Sequence, residues 1–140
     1  MHSIPIALLI ISLFILSVPK AQGQTIHKTD TTVYTIVESA PAFPGGSKAL
    51  TSYLQAMIHY PLMAQKEKIK GRVFVSFIVE KDGSLTDIRL LKELGYGCDE
   101  EALLAVKAMP CWVPGSQSGI PIRVKYYLPI AFGMDSDKRK

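Results

Sequence analysis

Cysteine and histidine are scarce in this chain, with two and three residues respectively in 140. Cys98, Cys111, His2, His27 and His59 show none of the short spacings from which zinc sites are built, so no metal is expected. The two thiols are also poor disulfide partners. A helix between them would separate them by roughly 15 Å, against a Cα spacing of about 5.5 Å in a disulfide. Both thiols are therefore expected to be free and mostly buried. No P-loop lysine pattern follows Gly45-Gly46, which reads as a lead-in to a helix, and no cofactor is expected. Long apolar runs are missing after residue 18, so no later segment could cross a membrane as a helix. Internal repeats and long low-complexity tracts are missing too.

What remains is one domain by length, with a separate N-terminus. An apolar run over residues 4–18, broken by Pro5, Ser12 and Ser17, precedes Lys20 and Ala21-Gln22-Gly23, a small-x-small cleavage pattern. Residues 1–23 are read as a signal peptide. An uncleaved N-terminal membrane anchor is the alternative, disfavoured because the run falls short of the roughly 20 residues that span a bilayer. Residues 24–40 form a short leader, rich in Thr, with a β-prone piece at residues 33–37. Extended at about 3.3 Å per residue, it reaches roughly 55 Å. Residues 41–133 are the domain, and residues 134–140 a charged tail. Basic residues exceed acidic ones by 16 to 12. The surplus is scattered, however, and export argues against a nucleic-acid partner, leaving anionic wall polymers or lipid headgroups as candidates for a basic surface.

Within the domain, residues 71–91 read as a β-hairpin turning at Asp82-Gly83. Val73, Val75, Phe77 and Val79 alternate on one strand, and Thr86, Ile88 and Leu90 on the other. An even loop would pair Val79 with Thr86, Phe77 with Ile88 and Val75 with Leu90. Leu50, Tyr53, Leu54 and Met57 fall on one face of a helix that Ser47 could cap, and Pro61 opens a short second helix. Asp99 is expected to cap a third helix, burying Ala102, Leu103, Ala105, Val106 and Met109 and leaving Leu104 exposed. Trp112 is expected over the sheet or under the turn. Residues 120–132 alternate cleanly, with Arg123, Lys125, Tyr127 and Pro129 opposite an apolar face, and Pro129 suits an edge strand. The sum is an α+β domain: a three-stranded antiparallel sheet with two main helices packed on one face.

Phe43-Pro44-Gly45-Gly46, Tyr60-Pro61 with Ala64, Gly71-Arg72-Val73, Asp82-Gly83, Asp99-Glu100-Glu101-Ala102-Leu103, Pro110 with Trp112, Pro114 and Gly115, and the closing Pro129-Ile130 with Phe132 occur in that order. In this the chain resembles the C-terminal domain of TonB energy transducers, of the kind common in Bacteroidetes, over about residues 33–132. The resemblance implies a periplasmic, non-enzymatic domain that binds TonB-dependent outer-membrane receptors, whose short box adds as a strand to the sheet in energy-coupled transport. An alternative within the same fold is an envelope interaction or structural protein that transduces no energy. The chain departs from the family pattern at Leu104, where Arg usually follows Ala-Leu, and at Cys111, where a basic residue is commoner.

The candidate partner-binding residues are Tyr60, Arg123, Val124, Lys125, Tyr126 and Tyr127, arrayed along the edge strand for strand addition. Against this stands a plainer reading, in which residues 31–37, or a second copy in a homodimer, cover the edge. An enzyme built on Cys98 is disfavoured, because Glu100 and Glu101 would oppose its thiolate and no third orienting group accompanies His59 or His27.

Overall fold

The computed structural model describes residues 31–134, and the signal-peptide or anchor reading of residues 1–23, the first part of the leader and the tail beyond residue 134 lie outside the described residues. In chain order the elements are β1 (Val33–Tyr34), α1 (Ser47–Met57), α2 (Leu62–Lys66), β2 (Gly71–Val79), β3 (Leu85–Lys92), α3 (Cys98–Lys107), β4 (Ser116–Gln117), β5 (Ile120–Pro121) and β6 (Arg123–Phe132). The main sheet has the order β1-β6-β2-β3. Its last three members are the expected antiparallel strands, and the domain is α+β as expected. The sheet is nevertheless four-stranded, because β1 from the leader pairs parallel to β6.

Strand β2 lies at the centre because its sequence is apolar on both faces. Val73, Val75, Phe77 and Val79 are fully buried, and Ser76 and Ile78 between them are also buried. Ala102 and Val106 of α3 join the core cluster with these valines, and Leu50, Tyr53 and Leu54 of α1 pack against it. The Tyr53 hydroxyl donates to the Ala105 carbonyl at 2.8 Å and so ties α1 to α3. Met57, at the end of the α1 stripe, is exposed, as is Leu104 on the outer side of α3.

Three local expectations are corrected. The N-caps are glycines with positive φ, Gly46 and Gly97, not Ser47 and Asp99. Asp99 lies one residue inside α3, and its carboxylate turns back to accept the amides of Leu94 and Gly95, each at 2.8 Å. That arrangement satisfies a buried carboxylate while fixing the preceding loop. Both thiols are free, but only Cys98 is buried, because the Pro110-Cys111 turn carries Cys111 outwards.

The hairpin departs from an even loop. Val79 pairs with Leu85 and Ile78 with Thr86, yet Ser76 pairs with Arg89 and Val75 with Leu90. Between these pairs Phe77 faces both Asp87 and Ile88, a bulge in which Asp87 takes φ 48°. The turn dictates this arrangement. Glu80 donates its amide to the Ser84 carbonyl, Gly83 donates to Glu80, and the Asp82 carboxylate accepts from Ser84, closing an odd loop over residues 80–84. The bulge restores apolar register, and Val75 opposite Leu90 is the expected pair. A second irregularity falls at Leu91, between the Val75 and Phe74 pairings.

Trp112 does both things expected of it. Its ring is 5.2 Å from Phe77, 4.9 Å from Tyr126 and 5.8 Å from Phe43, all steeply inclined. Its amide donates to the Gly83 carbonyl at 2.8 Å, which places the turn directly on the Trp112 backbone. A Cβ at Gly83, where φ is +86°, would lie 2.0 Å from the Trp112 carbonyl oxygen. At Gly119, with φ +73°, a Cβ would meet nothing within 4 Å. Gly83→Ala is therefore expected to destabilise the fold by about 3 kcal/mol, from positive φ plus overpacking. Gly119→Ala should lose only the conformational part, about 1 kcal/mol. Urea unfolding midpoints of the two variants check the difference.

Candidate functional site

Alternation along β6 sorts its side chains into two sets with different duties. Val124, Leu128, Ile130 and Phe132 are buried in the core. Tyr126 joins them in part, with its ring stacked 5.5 Å from Phe77. Lys125, Tyr127 and Pro129 point to the other face, with Tyr127 half exposed and the Lys125 ammonium 5.9 Å from its ring centre. Of the six candidate residues, Val124 and Tyr126 thus have their side chains committed to the core. Their backbone groups turn inward as well, paired with Val79 and Phe77 of β2, so the outward-facing main chain of this edge belongs to Arg123, Lys125 and Tyr127.

Arg123 is committed as well. Its Nε and Nη2 donate to the two carboxylate oxygens of Glu80 at 2.7 and 3.0 Å, and its Nη1 donates to the Thr31 carbonyl at 3.0 Å. The continuing β2–β6 register, in which Val79 pairs with Val124, brings Glu80 opposite Arg123. Thr86 adds a hydroxyl hydrogen bond of 2.5 Å to the same carboxylate. These bonds, that of Arg123 foremost, hold the Glu80 carboxyl below the usual glutamate range. Tyr60 stands at the opposite end of β6, its hydroxyl within hydrogen-bond reach of the Ala64 and Ile69 carbonyls. A Cβ at Gly133 would approach that hydroxyl to 2.6 Å. The candidates therefore mark the two ends and the middle of one strand edge, not a single cluster.

The edge itself is regular. Strand β6 pairs with β2 without a register shift from Gly71 opposite Phe132 to Val79 opposite Val124. On its other side, β1 covers Arg123 and Val124. From Lys125 to Phe132 that side pairs with no strand among the described residues. Pro129 lies in this open stretch, where its missing amide hydrogen breaks no ladder with a neighbouring strand. Sequence reasoning missed two members of the site. Glu80 ends an alternating run and reads as the polar boundary of a hairpin strand, and the available signal was the register that sets it opposite Arg123. The short β4–β5 hairpin was also missed, although Ser118-Gly119 supplies the two positive-φ residues that such a turn needs.

Other chemistry is poorly served. Cys98 is fully buried, and burial first, with Asp99, Glu100 and Glu101 adding to it, pushes its thiol pKa up, the wrong direction for a nucleophile. His59 is turned to Glu101, with Nδ1 3.8 Å from the carboxylate, on the solvent side. Among the described residues no three His, Cys, Asp or Glu gather as a metal site, and no helix is long and apolar enough to cross a membrane.

The family described as the Gram-negative bacterial TonB protein C-terminal matches residues 56–134. Among curated proteins, Protein TonB of Helicobacter pylori, from two strains, is 32% identical over 99 residues, which cover 67% of this chain and 33% or 34% of the relative. The chain thus spans about a third of the length of the curated relatives it matches. Two NMR solution structures of Helicobacter pylori TonB-CTD share 30% identity, cover 61% and 67% of this chain and 89% of their own, and superpose with a TM-score of 0.46.

The Glu80–Arg123 pair gives the site a pH dependence. The folded carboxyl holds its proton less tightly than the unfolded one, so its stabilisation is complete above the ordinary glutamate range and is lost as pH falls through the lowered folded value. Both side chains are about a fifth exposed, which tempers the pair. Glu80→Gln should cost about 1 kcal/mol at neutral pH and flatten the loss of stability on acidification. Urea unfolding at pH 7 and across the acid limb provides the check.

Proposed function

The chain belongs to the Gram-negative TonB C-terminal family, and on that premise we propose that it is a periplasmic, non-enzymatic binding domain that engages outer-membrane receptors in energy-coupled transport. A signal peptide over residues 1–23 would direct its export. A receptor presents a short extended segment, and this segment adds as a strand to the outer edge of β6. The observation that carries the reading is the backbone from Lys125 onwards, which pairs with no outer strand among the described residues, on a strand whose other side is in continuous register with β2. Main-chain hydrogen bonds supply affinity in this mode, and flanking side chains supply selection. Lys125 and Tyr127 flank the edge on the face away from the helices, and Tyr60 closes its far end.

In a titration of the domain with a receptor box peptide, amide shifts should concentrate along residues 125–131. Tyr127→Ala should weaken binding about threefold, the size of one cross-strand side-chain contact. Shifts confined to other elements would sink strand addition at β6. Absence of any response to receptor peptides, with retention on isolated envelope material, would turn the reading towards an envelope interaction protein that transduces no energy.

A further inference from the structure

We infer that β1 is a built-in occupant of the β6 edge, so that an incoming strand must displace the chain's own residues 31–34 to use the edge in full. This inference rests on the strand-addition reading above and adds a competitor to it. Strand β1 is short, pairing Val33 with Arg123 and Tyr34 with Val124 and running parallel to β6. It contributes nothing to the core cluster, and Val33 is exposed. Ile36, two residues on, is 90% exposed, an apolar β-branched side chain with no packing role in this arrangement.

Fastenings on either side help keep so short a strand in place. Before it, the Thr31 carbonyl accepts from Arg123 Nη1 while Glu80 holds the guanidinium by its other nitrogens. After it, the Glu38 carboxylate accepts the Ser118 amide at 2.9 Å, and Ser39 and Ser116 exchange backbone hydrogen bonds at 3.1 and 2.9 Å. The strand is therefore tethered a few residues from a fixed point, and short tethers give effective concentrations on the order of millimolar. A peptide in solution must outcompete that concentration at Arg123–Val124, and it can do so by also pairing along the open stretch that β1 leaves.

The occupant also indicates the chemistry of the displacing ligand. Residues 31–37 read Thr-Thr-Val-Tyr-Thr-Ile-Val, uncharged and mostly β-branched. The edge accepts such a sequence in the parallel sense, with the ligand's first residues near Arg123. Side-chain bulk of that kind suits the pleated, half-buried surface beside a sheet edge.

The test uses the full chain, a Val33→Pro/Tyr34→Pro double variant that removes both β1 amide hydrogens, and a synthetic peptide of residues 31–37 supplied in trans. Hydrogen exchange of the Arg123 amide, which faces β1, should quicken about tenfold in the variant, whereas that of Val124, whose amide faces Val79 of β2, should not change. The peptide should bind the variant at least fivefold more tightly than the wild type, with shifts along residues 123–127. Tyr34→Pro alone, at a half-buried position outside the core, gives the same sign at smaller amplitude. Equal affinity for wild type and variant overturns the competitor while leaving strand addition standing. Binding by neither overturns strand addition and the competitor with it.

Discussion

The contact between the Gly83 turn and the backbone of Trp112 is the constraint on which the rest of this domain depends. It joins the tip of the β2–β3 hairpin to the segment leaving α3, and it holds the indole edge-on against Phe77 of β2 and Tyr126 of β6. Phe43, which leads into α1, completes the group from the other side. Four parts of the chain distant in sequence thus meet in one set of rings. Edge-to-face packing of this kind is directional, so it fixes orientation as well as burying area. Strand β6 receives its position from that group through Tyr126, and its outer edge is held by a rigid support.

The inner face of β6 is committed to the core, while its outer edge from Lys125 onwards pairs with no strand among the described residues. Alternate β6 residues are spent on the core, and Arg123 is spent on Glu80 and Thr31. In the strand addition proposed above, recognition would consequently fall to the main chain, with Lys125 and Tyr127 as its flanking side chains. A binding mode that reads backbone suits a domain whose partner segments need share little beyond an extended conformation.

Much of this was legible in the sequence, and the failures have physical causes. Val75 opposite Leu90 followed from alternation, because a face that must be buried resists a slip of register. The pairs nearer the turn did not follow, since Glu80, Asp82 and Ser84 close an odd loop and Asp87 absorbs the extra residue as a bulge. No periodicity announces a single residue at positive φ. Strand β1 was invisible as an element for another reason: two paired residues are too few to register a pattern, although residues 31–37 were recognisable as β-prone cover for an edge. Arg123 read as a side chain left for a partner because its ion-pair partner within the chain, Glu80, lies 43 residues away and is brought near only by the ladder. Ser47 and Asp99 were plausible caps by residue type, but the neighbouring glycines took the cap positions through backbone conformation that other residues adopt only under strain.

The sheet has two sides on which a strand could add, and their construction differs. At β3, pairing with β2 shifts register twice, and Arg89 and Lys92 lie along the strand. Bulges and charge on an edge are features that discourage further pairing, since a bent ladder presents its donors and acceptors out of step with an incoming strand. At β6 the ladder with β2 runs unbroken through every pair from Phe132 to Val124. A straight strand with its groups in step is the better template, and the one interruption, Pro129, sits towards its far end. The bulge at Asp87 therefore has a second consequence beyond restoring the hairpin's apolar face. By spoiling β3 as an acceptor it leaves β6 as the favoured side for addition, and this is the side on which the chain has laid its own β1.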